Sequence, residues 1–215
     1  LNWDYSETAY TFVIKHKKLL NNCARQYFLK DGPLAFLPIS NRETSVVWSV
    51  KNKSNAEKII LNYDERLSFL KMISADFYDV TGGTKKLEKF GLTFEFLRKT
   101  VLSRVIFMGD ITHKIHPIAG QGWNMTLRDI DILINILKAK LSKGYDVGDF
   151  GILKDFEKKT KVSNLLFAVS IDLIRKAFRS QSPAISQLRK KSFSIASQPT
   201  VMNKIIDLAD KGLRF

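Results

Sequence analysis

Asp110, Pro117, Gly120, Gly122 and Asn124 lie close together in R-V-I-F-M-G-D-I-T-H-K-I-H-P-I-A-G-Q-G-W-N-M-T-L-R-D-I-D-I-L, the stretch from Arg104 to Leu133. The apolar run Val105–Met108 predicts a short strand that breaks at Gly109-Asp110, and a helix is entered near Asn124. Strand, glycine-bearing loop and helix N-terminus, in that order, let backbone amides face an electron-rich ligand. Asp110 would then sit at the carboxyl end of a strand, where a carboxylate can accept hydrogen bonds from sugar-like hydroxyls. A capping role is equally open to it. Gly120 and Gly122 permit backbone conformations closed to other residues, although G-x-G also serves ordinary turns. Pro117 stiffens the loop and offers a flat apolar face, or is a plain loop proline. Asn124 suits an N-cap, and the helix behind it presents positive dipole potential to negative charge.

His113 and His116 lack a nearby third ligand, so no metal centre is expected. No Cys-His or Ser-His-Asp grouping marks a hydrolytic centre. Trp3, Tyr5, Tyr10 and Trp48 could line an apolar pocket, although alternating aromatics more often form plain core.

The elements around that stretch follow from its neighbours. Trp3–His16 is rich in aromatic and β-branched residues and reads as a strand. Lys17–Lys30 reads as a connection with a short helical turn. Leu34–Ile39 and Thr44–Val50 flank the polar turn Ser40–Glu43 and form a hairpin, which makes an antiparallel sheet with the first strand. Pro33 and Pro38 bracket the first of these strands and favour an edge position. Between Ser54 and Asp79 the period becomes helical, through Ile59, Ile60, Tyr63, Leu67, Leu70 and Ile73. Gly82-Gly83 breaks that run before a strand-like Thr84–Phe96. Past Asn124, Leu127, Ile130, Ile134, Leu137 and Leu141 mark one apolar helical stripe ending near Gly144. Asp149–Phe178 is a long amphipathic segment with Asp155/Lys159 and Glu157/Lys161 at i,i+4. A break at Ser180–Pro183, a basic helix around Leu188 and a last helix from Pro199 to Ala209 complete the chain.

At 215 residues the chain is long enough for one large domain or two modest ones. Its net charge is +14 and its pI about 9.8. From Lys138 to Phe215 there are 16 Lys and Arg against 7 Asp and Glu, an excess of nine. Such a balance suits nucleic acid, a membrane surface or an acidic protein, although a solvated helical surface is the plainer reading. The charge is scattered over helical faces and no nucleic-acid module occurs, so no nucleic-acid partner is expected; a basic nucleic-acid binder stays as a remote alternative. The single cysteine, Cys23, excludes an internal disulfide framework and suits a reducing compartment. The best apolar run, Leu165–Ile174, is interrupted by Asp172 and falls short of a membrane span. With no charged-then-apolar leader the expectation is cytoplasmic, and a chain starting at Leu1 in strand-like sequence is expected to be processed or partial.

The run G-D-I-T-H-K-I-H-P-I-A-G-Q-G-W-N-M-T-L-R-D-I-D-I-L closely resembles the second flavin-binding motif of the class A flavoprotein aromatic hydroxylases, in its UbiH-type ubiquinone-biosynthesis form. W-D-Y-S-E-T-A from Trp3, G-P-L-A-F-L-P from Gly32 and S-V-V-W from Ser45 extend the resemblance, in order and spacing, over most of the chain. It departs at Ile111-Thr112, where Ala-Ala is usual, at Met125-Thr126 for Leu-Gly, at Phe90-Gly91-Leu92 for aromatic-Pro-Leu, and at Glu7 for glutamine.

The resemblance implies an α+β to α/β fold. Residues 1–100 would be a substrate-domain antiparallel sheet with helices, 101–145 the second part of an FAD-binding Rossmann-like domain, and 146–215 a helical carboxy-terminal region. It implies FAD, held by Gly109, Asp110, Pro117, Gly120, Gln121, Gly122, Trp123 and Asn124. Asp110 would hold the ribityl chain, and Gly120 through Asn124 the N1 and C2-carbonyl edge of the ring. Pro117 and His116 would stand at the catalytic position. The implied reaction is hydroxylation of a polyprenylated phenol, a ubiquinone precursor, with NAD(P)H and O2, in peripheral contact with the inner face of a membrane. The family's N-terminal G-x-G-x-x-G unit, which binds the FAD pyrophosphate, does not occur here. The chain is therefore expected to be a carboxy-terminal portion, inactive in isolation; the alternative is a non-catalytic or split-gene fragment that needs a partner chain to supply that unit.

Overall fold

The computed structural model describes residues 1–17, 21–180, 182–196 and 198–211. It divides into two units by internal contacts, Asp4–Leu92 and Leu1–Trp3 with Thr93–Phe215.

The first of these units is an antiparallel sheet backed by helices. Strands β1 (Asn2–His16), β2 (Arg25–Leu29), β3 (Gly32–Pro38), β4 (Glu43–Lys51) and β5 (Val80–Gly83) are joined in the order β2-β3-β4-β1, with β5 also on β1. The pairings Tyr10↔Trp48, Phe12↔Val46, Leu34↔Trp48 and Phe36↔Val46 put these side chains on one face, because side chains alternate along a strand. That face packs on Ala56, Ile60 and Leu70 of helices α1 (Asn55–Leu61) and α2 (Tyr63–Ile73), all buried. Both helices start on side-chain caps: Ser54 accepts from Glu57 N, and Asn62 from Asp64 N and Glu65 N. Buried Arg66 donates to the carbonyls of Ile60, Thr84 and Lys85 with its guanidinium 4.8 Å from the Phe12 ring centre, and burial pushes its pKa below the ordinary value.

Several expected elements differ. Within Lys17–Lys30, residues 18–20 lie outside the described residues, and Arg25–Leu29 is a strand rather than a helical turn. It forms a hairpin with β3 through Lys30-Asp31, and this turn depends on Gly32. Gly32 has φ +139, and a Cβ there would lie 1.9 Å from the Ser49 carbonyl oxygen. With β2 on its outer side, β3 is not an edge; Pro33 and Pro38 sit at its ends, where missing ladder donors are tolerated. The helical run already ends at Ile73, so Gly82-Gly83 does not break it but ends β5, where Gly83 lets β1 approach: a Cβ would meet the Val13 carbonyl oxygen at 2.6 Å.

The second unit takes the end of β6 (Glu88–Phe96), which pairs with β9 (His113–Lys114) through Glu95↔Lys114 and Phe96↔His113. A two-residue ribbon of β7 (Val101–Leu102) and β8 (Val105–Ile106) replaces the longer strand expected over Val105–Met108. Helices α3 (Gly122–Leu141), α4 (Phe150–Arg179), α5 (Pro183–Ala196) and α6 (Pro199–Lys211) follow. Val101, Ile136, Ile152, Leu153 and Phe156 form the core between β7, α3 and α4, with Ile106, Met108, Ile132, Leu133 and Leu137 packed against it. Leu127, Ile130, Ile134 and Leu141 of the expected stripe are exposed instead. The buried side of α3 runs Met125, Asp129, Ile136, a helical spacing that a hydropathy reading passes over because it contains an aspartate. Glu157, expected on the polar side of α4, is buried and ion-paired with Lys154. Among the described residues no helix is long and apolar enough to cross a membrane.

Candidate functional site

The candidate loop is built from two short 3-10 turns and a helix start. Met108 is extended, and the chain turns at Gly109, whose φ of +76 is in the left-handed region that favours glycine. The Gly109–Ile111 turn is closed by Thr112, whose backbone N–H and side-chain hydroxyl both donate to the Gly109 carbonyl at 2.8 Å. Thr112, where the related pattern has alanine, is buried by this role. After β9, Pro117–Ala119 forms the second turn, ending on Gly120 at φ 60, whose N–H donates to the Pro117 carbonyl. Helix α3 starts at Gly122, with Gln121 at the N-cap without a side-chain cap bond.

Asp110, Pro117, Gly120 and Trp123 are exposed around this turn. A Cβ on Gly122 would stand 3.7 Å from Asp110 Oδ1, so the carboxylate reaches the first turn of α3 without a side chain between them. Asn124 is not the N-cap; it is the third residue of the helix, and its side-chain amide donates to Gln121 Oε1 at 3.2 Å. Thr126, in place of the usual glycine, puts its side chain 3.6 Å from where a Gly109 Cβ would be. His116 is fully buried, and its Nδ1 accepts from the Ile118 N–H at 3.2 Å, which caps the turn that presents Pro117.

Of the aromatic candidates, Tyr5, Tyr10 and Trp48 are core, whereas Trp3 is exposed. Tyr10 and Trp48 are buried in the sheet–helix layer, where Trp48 stacks on Phe69 at 4.8 Å. Trp3 stacks on Phe94, both within the second unit, at 3.8 Å with rings 2° from parallel. Glu7 is buried on β1. Sequence reasoning missed Asp129 and Asn164, which join His113 in a buried polar cluster; the available signal was an aspartate on the buried spacing of α3.

The arrangement suits a flat ligand with a hydroxylated, electron-rich arm. A solvent-reachable carboxylate, a left-handed glycine turn, an exposed indole and the free N–H groups of a 20-residue helix lie at or beside the start of α3. No Cβ obstructs the approach at Gly120. These residues fit the ribityl and ring end of FAD.

Residues 8–147 match the family model of the FAD binding domain. Over 218 residues the chain is 30% identical to the mitochondrial ubiquinone biosynthesis monooxygenase COQ6 of Dictyostelium discoideum, covering 87% of this chain and 44% of that protein. It is 25% identical to the 3-demethoxyubiquinol 3-hydroxylase of Escherichia coli strain K12, covering 94% and 51%. The chain thus spans about half the length of these curated relatives. Among solved structures, p-nitrophenol 4-monooxygenase PnpA of Pseudomonas putida DLL-E4 has the same fold, with a TM-score of 0.69 at 19% identity, over 100% of this chain and 54% of that one.

Proposed function

The chain belongs to the FAD binding domain family, in its UbiH-type class A monooxygenase branch, and from that premise we propose that it forms the ring-binding portion of an FAD-dependent hydroxylase of a ubiquinone precursor. The observation that carries this reading is the approach of the Asp110 carboxylate to Gly122, the first residue of α3, which has no side chain to stand between them.

When bound, the flavin supplies two-electron reduction by NAD(P)H and transfer of one atom of O2 to a phenolic ring, the other leaving as water. Asp110 accepts hydrogen bonds from the ribityl hydroxyls. The backbone from Gly120 to Asn124 and the positive end of α3 stabilise negative charge on the ring, where oriented amides act at no reorganisation cost. Pro117, held by the His116 cap, gives the oxygen-reacting position a rigid apolar wall that excludes water. The G-x-G-x-x-G unit for the pyrophosphate is supplied by polypeptide outside these 215 residues, in the same protein or in a partner chain. A polyprenylated substrate brings the protein to a membrane surface, and its basic helices favour anionic lipid; equal binding to neutral and anionic vesicles would refute that part.

The test is a titration with FAD, alone and with a polypeptide carrying the missing unit, followed by visible absorbance and NAD(P)H oxidation. Flavin-loaded, NAD(P)H-oxidising protein is expected only with that unit present. Asp110→Ala should weaken FAD binding about 10- to 100-fold, the loss of one or two hydrogen bonds to a charged acceptor. Undiminished binding by this variant would remove Asp110 from the site.

A further inference from the structure

Three polar side chains from three elements meet inside the unit that carries the loop. His113 of β9, Asp129 of α3 and Asn164 of α4 are 2%, 4% and 8% exposed. The Asn164 amide donates to both Asp129 oxygens at 2.9 Å, and His113 Nε2 lies 3.2 Å from Asp129 Oδ2. A carboxylate only accepts, so Nε2 is the ring nitrogen that carries a proton toward it. That leaves His113 Nδ1 buried and without a hydrogen-bond partner among the described residues. Buried polar atoms are nearly always satisfied, by protein or by ordered water. His113, Asp129 and Asn164, with Thr112, Thr160 and Lys161, line a cavity of about 20 Å³. One water needs roughly 10–15 Å³ and two or more polar partners.

We propose that His113, Asp129 and Asn164, together with one bound water on His113 Nδ1, form a positioning unit that holds the loop between Asp110 and Pro117 against α3. His113 lies three residues after Asp110 and four before Pro117, so one side chain controls the segment joining them. Asp129 lies two turns along the helix that starts at Gly122, and Asn164 ties the pair to α4. His113 is also held through its backbone, opposite Phe96 of β6. All three are buried and none reaches the exposed surface of the loop. Their effect reaches the ligand through the placing of Asp110, Pro117 and the first turn of α3. That this loop carries flavin rests on the reading above; that the cluster holds the loop does not.

Two variants separate the parts. Asp129→Asn replaces one acceptor oxygen by a donor, so the Asn164 amide and His113 Nε2 can no longer both be satisfied as they stand. His113→Gln keeps a donor toward Asp129 and removes Nδ1. The primary experiment is nitrogen-15 NMR of the full chain with amide hydrogen exchange. In the unaltered chain we expect the Nε2-protonated pattern for His113 and a slowly exchanging water beside Nδ1, with the water lost in H113Q. In D129N the amides of Thr112 and Gly120 should exchange at least about tenfold faster relative to those in the middle of α4, a local opening distinct from global loss. No water at Nδ1, or equal acceleration of loop and helix amides, would overturn the proposal; if D129N fails to fold, the H113Q measurement decides. A parallel FAD titration of the chain with the missing unit should show at least tenfold weaker binding and a shifted visible band in D129N. If the unaltered protein takes no FAD, the flavin reading fails and the exchange result still decides the cluster. If it takes FAD and D129N binds it identically, the positioning role fails while the flavin reading stands.

Discussion

Replacing Glu157 by alanine removes a single buried carboxylate that closes the start of the loop region. Glu157 Oε1 accepts from the Thr100 backbone N–H at 2.7 Å and from its hydroxyl at 3.4 Å, and Oε2 is ion-paired with Lys154. The adjacent Val101 is wholly buried, so the Thr100 N–H freed by the substitution has a poor route to water. A hydrogen bond to a charged acceptor contributes about 1.5–3 kcal/mol, and the half-exposed lysine adds up to about 1 kcal/mol, so Glu157→Ala should cost about 2–4 kcal/mol at neutral pH. Burial pushes the Glu157 pKa up, but the Lys154 pair and the Thr100 N–H outweigh it and hold it below the ordinary value. A carboxyl with a depressed folded pKa stabilises the fold above its unfolded pKa, about 4.3, and that contribution is lost as pH falls through the folded value. Urea unfolding followed by far-ultraviolet circular dichroism at pH 7 and pH 3.5 tests this. The gap between the two proteins should be full at pH 7 and should shrink at pH 3.5. A gap below about 0.5 kcal/mol at pH 7, or one unchanged at pH 3.5, would refute the assignment of these bonds as stabilising.

Gly32→Ala should destabilise the sheet unit by at least about 3 kcal/mol, since the left-handed backbone and a Cβ 1.9 Å from the Ser49 oxygen both have to be relieved; a thermal melt of the variant reads this directly, and an unchanged midpoint would contradict the β2–β3 turn. Burial, then the hydrogen bond to Glu57, push the Tyr10 hydroxyl up to about 12. The folded state then keeps a proton that the unfolded state loses near pH 10, so stability falls as pH rises from about 10 to 12. Absorbance titration near 295 nm should show one tyrosine ionising last, and Tyr10→Phe should remove that step.

How far the residues alone foretold the site depended on the range of the interactions. The strand-to-helix motif around Asp110 was legible because glycine conformation and helix onset are local. Its details were not. Asn124 looks like a cap by residue type, yet the turn ending at Gly120 places the helix start two residues earlier, at Gly122. The resemblance puts His116 beside Pro117 at the catalytic position, and only the fold shows that it is buried with its Nδ1 accepting from the Ile118 N–H. The β2 strand was missed because Arg25–Leu29 alternates weakly, and it is set by pairing with β3 rather than by its own pattern.

The chain's local patterns alone determined the hairpin of β3 and β4, the helical period from Ser54, the long α4 segment and the glycine-bearing loop that leads into α3. Each rests on interactions within a few residues: alternation, helical period, or a glycine's φ. Tertiary structure alone decided which side of α3 is buried. The residue pattern favours the apolar Leu127–Ile130–Ile134 stripe, whereas the fold buries Met125, Asp129 and Ile136. The physical reason is that a buried aspartate is costly unless partners wait for it. Those partners, His113 and Asn164, come from 16 residues before and 35 residues after, and only the folded chain brings them to one place.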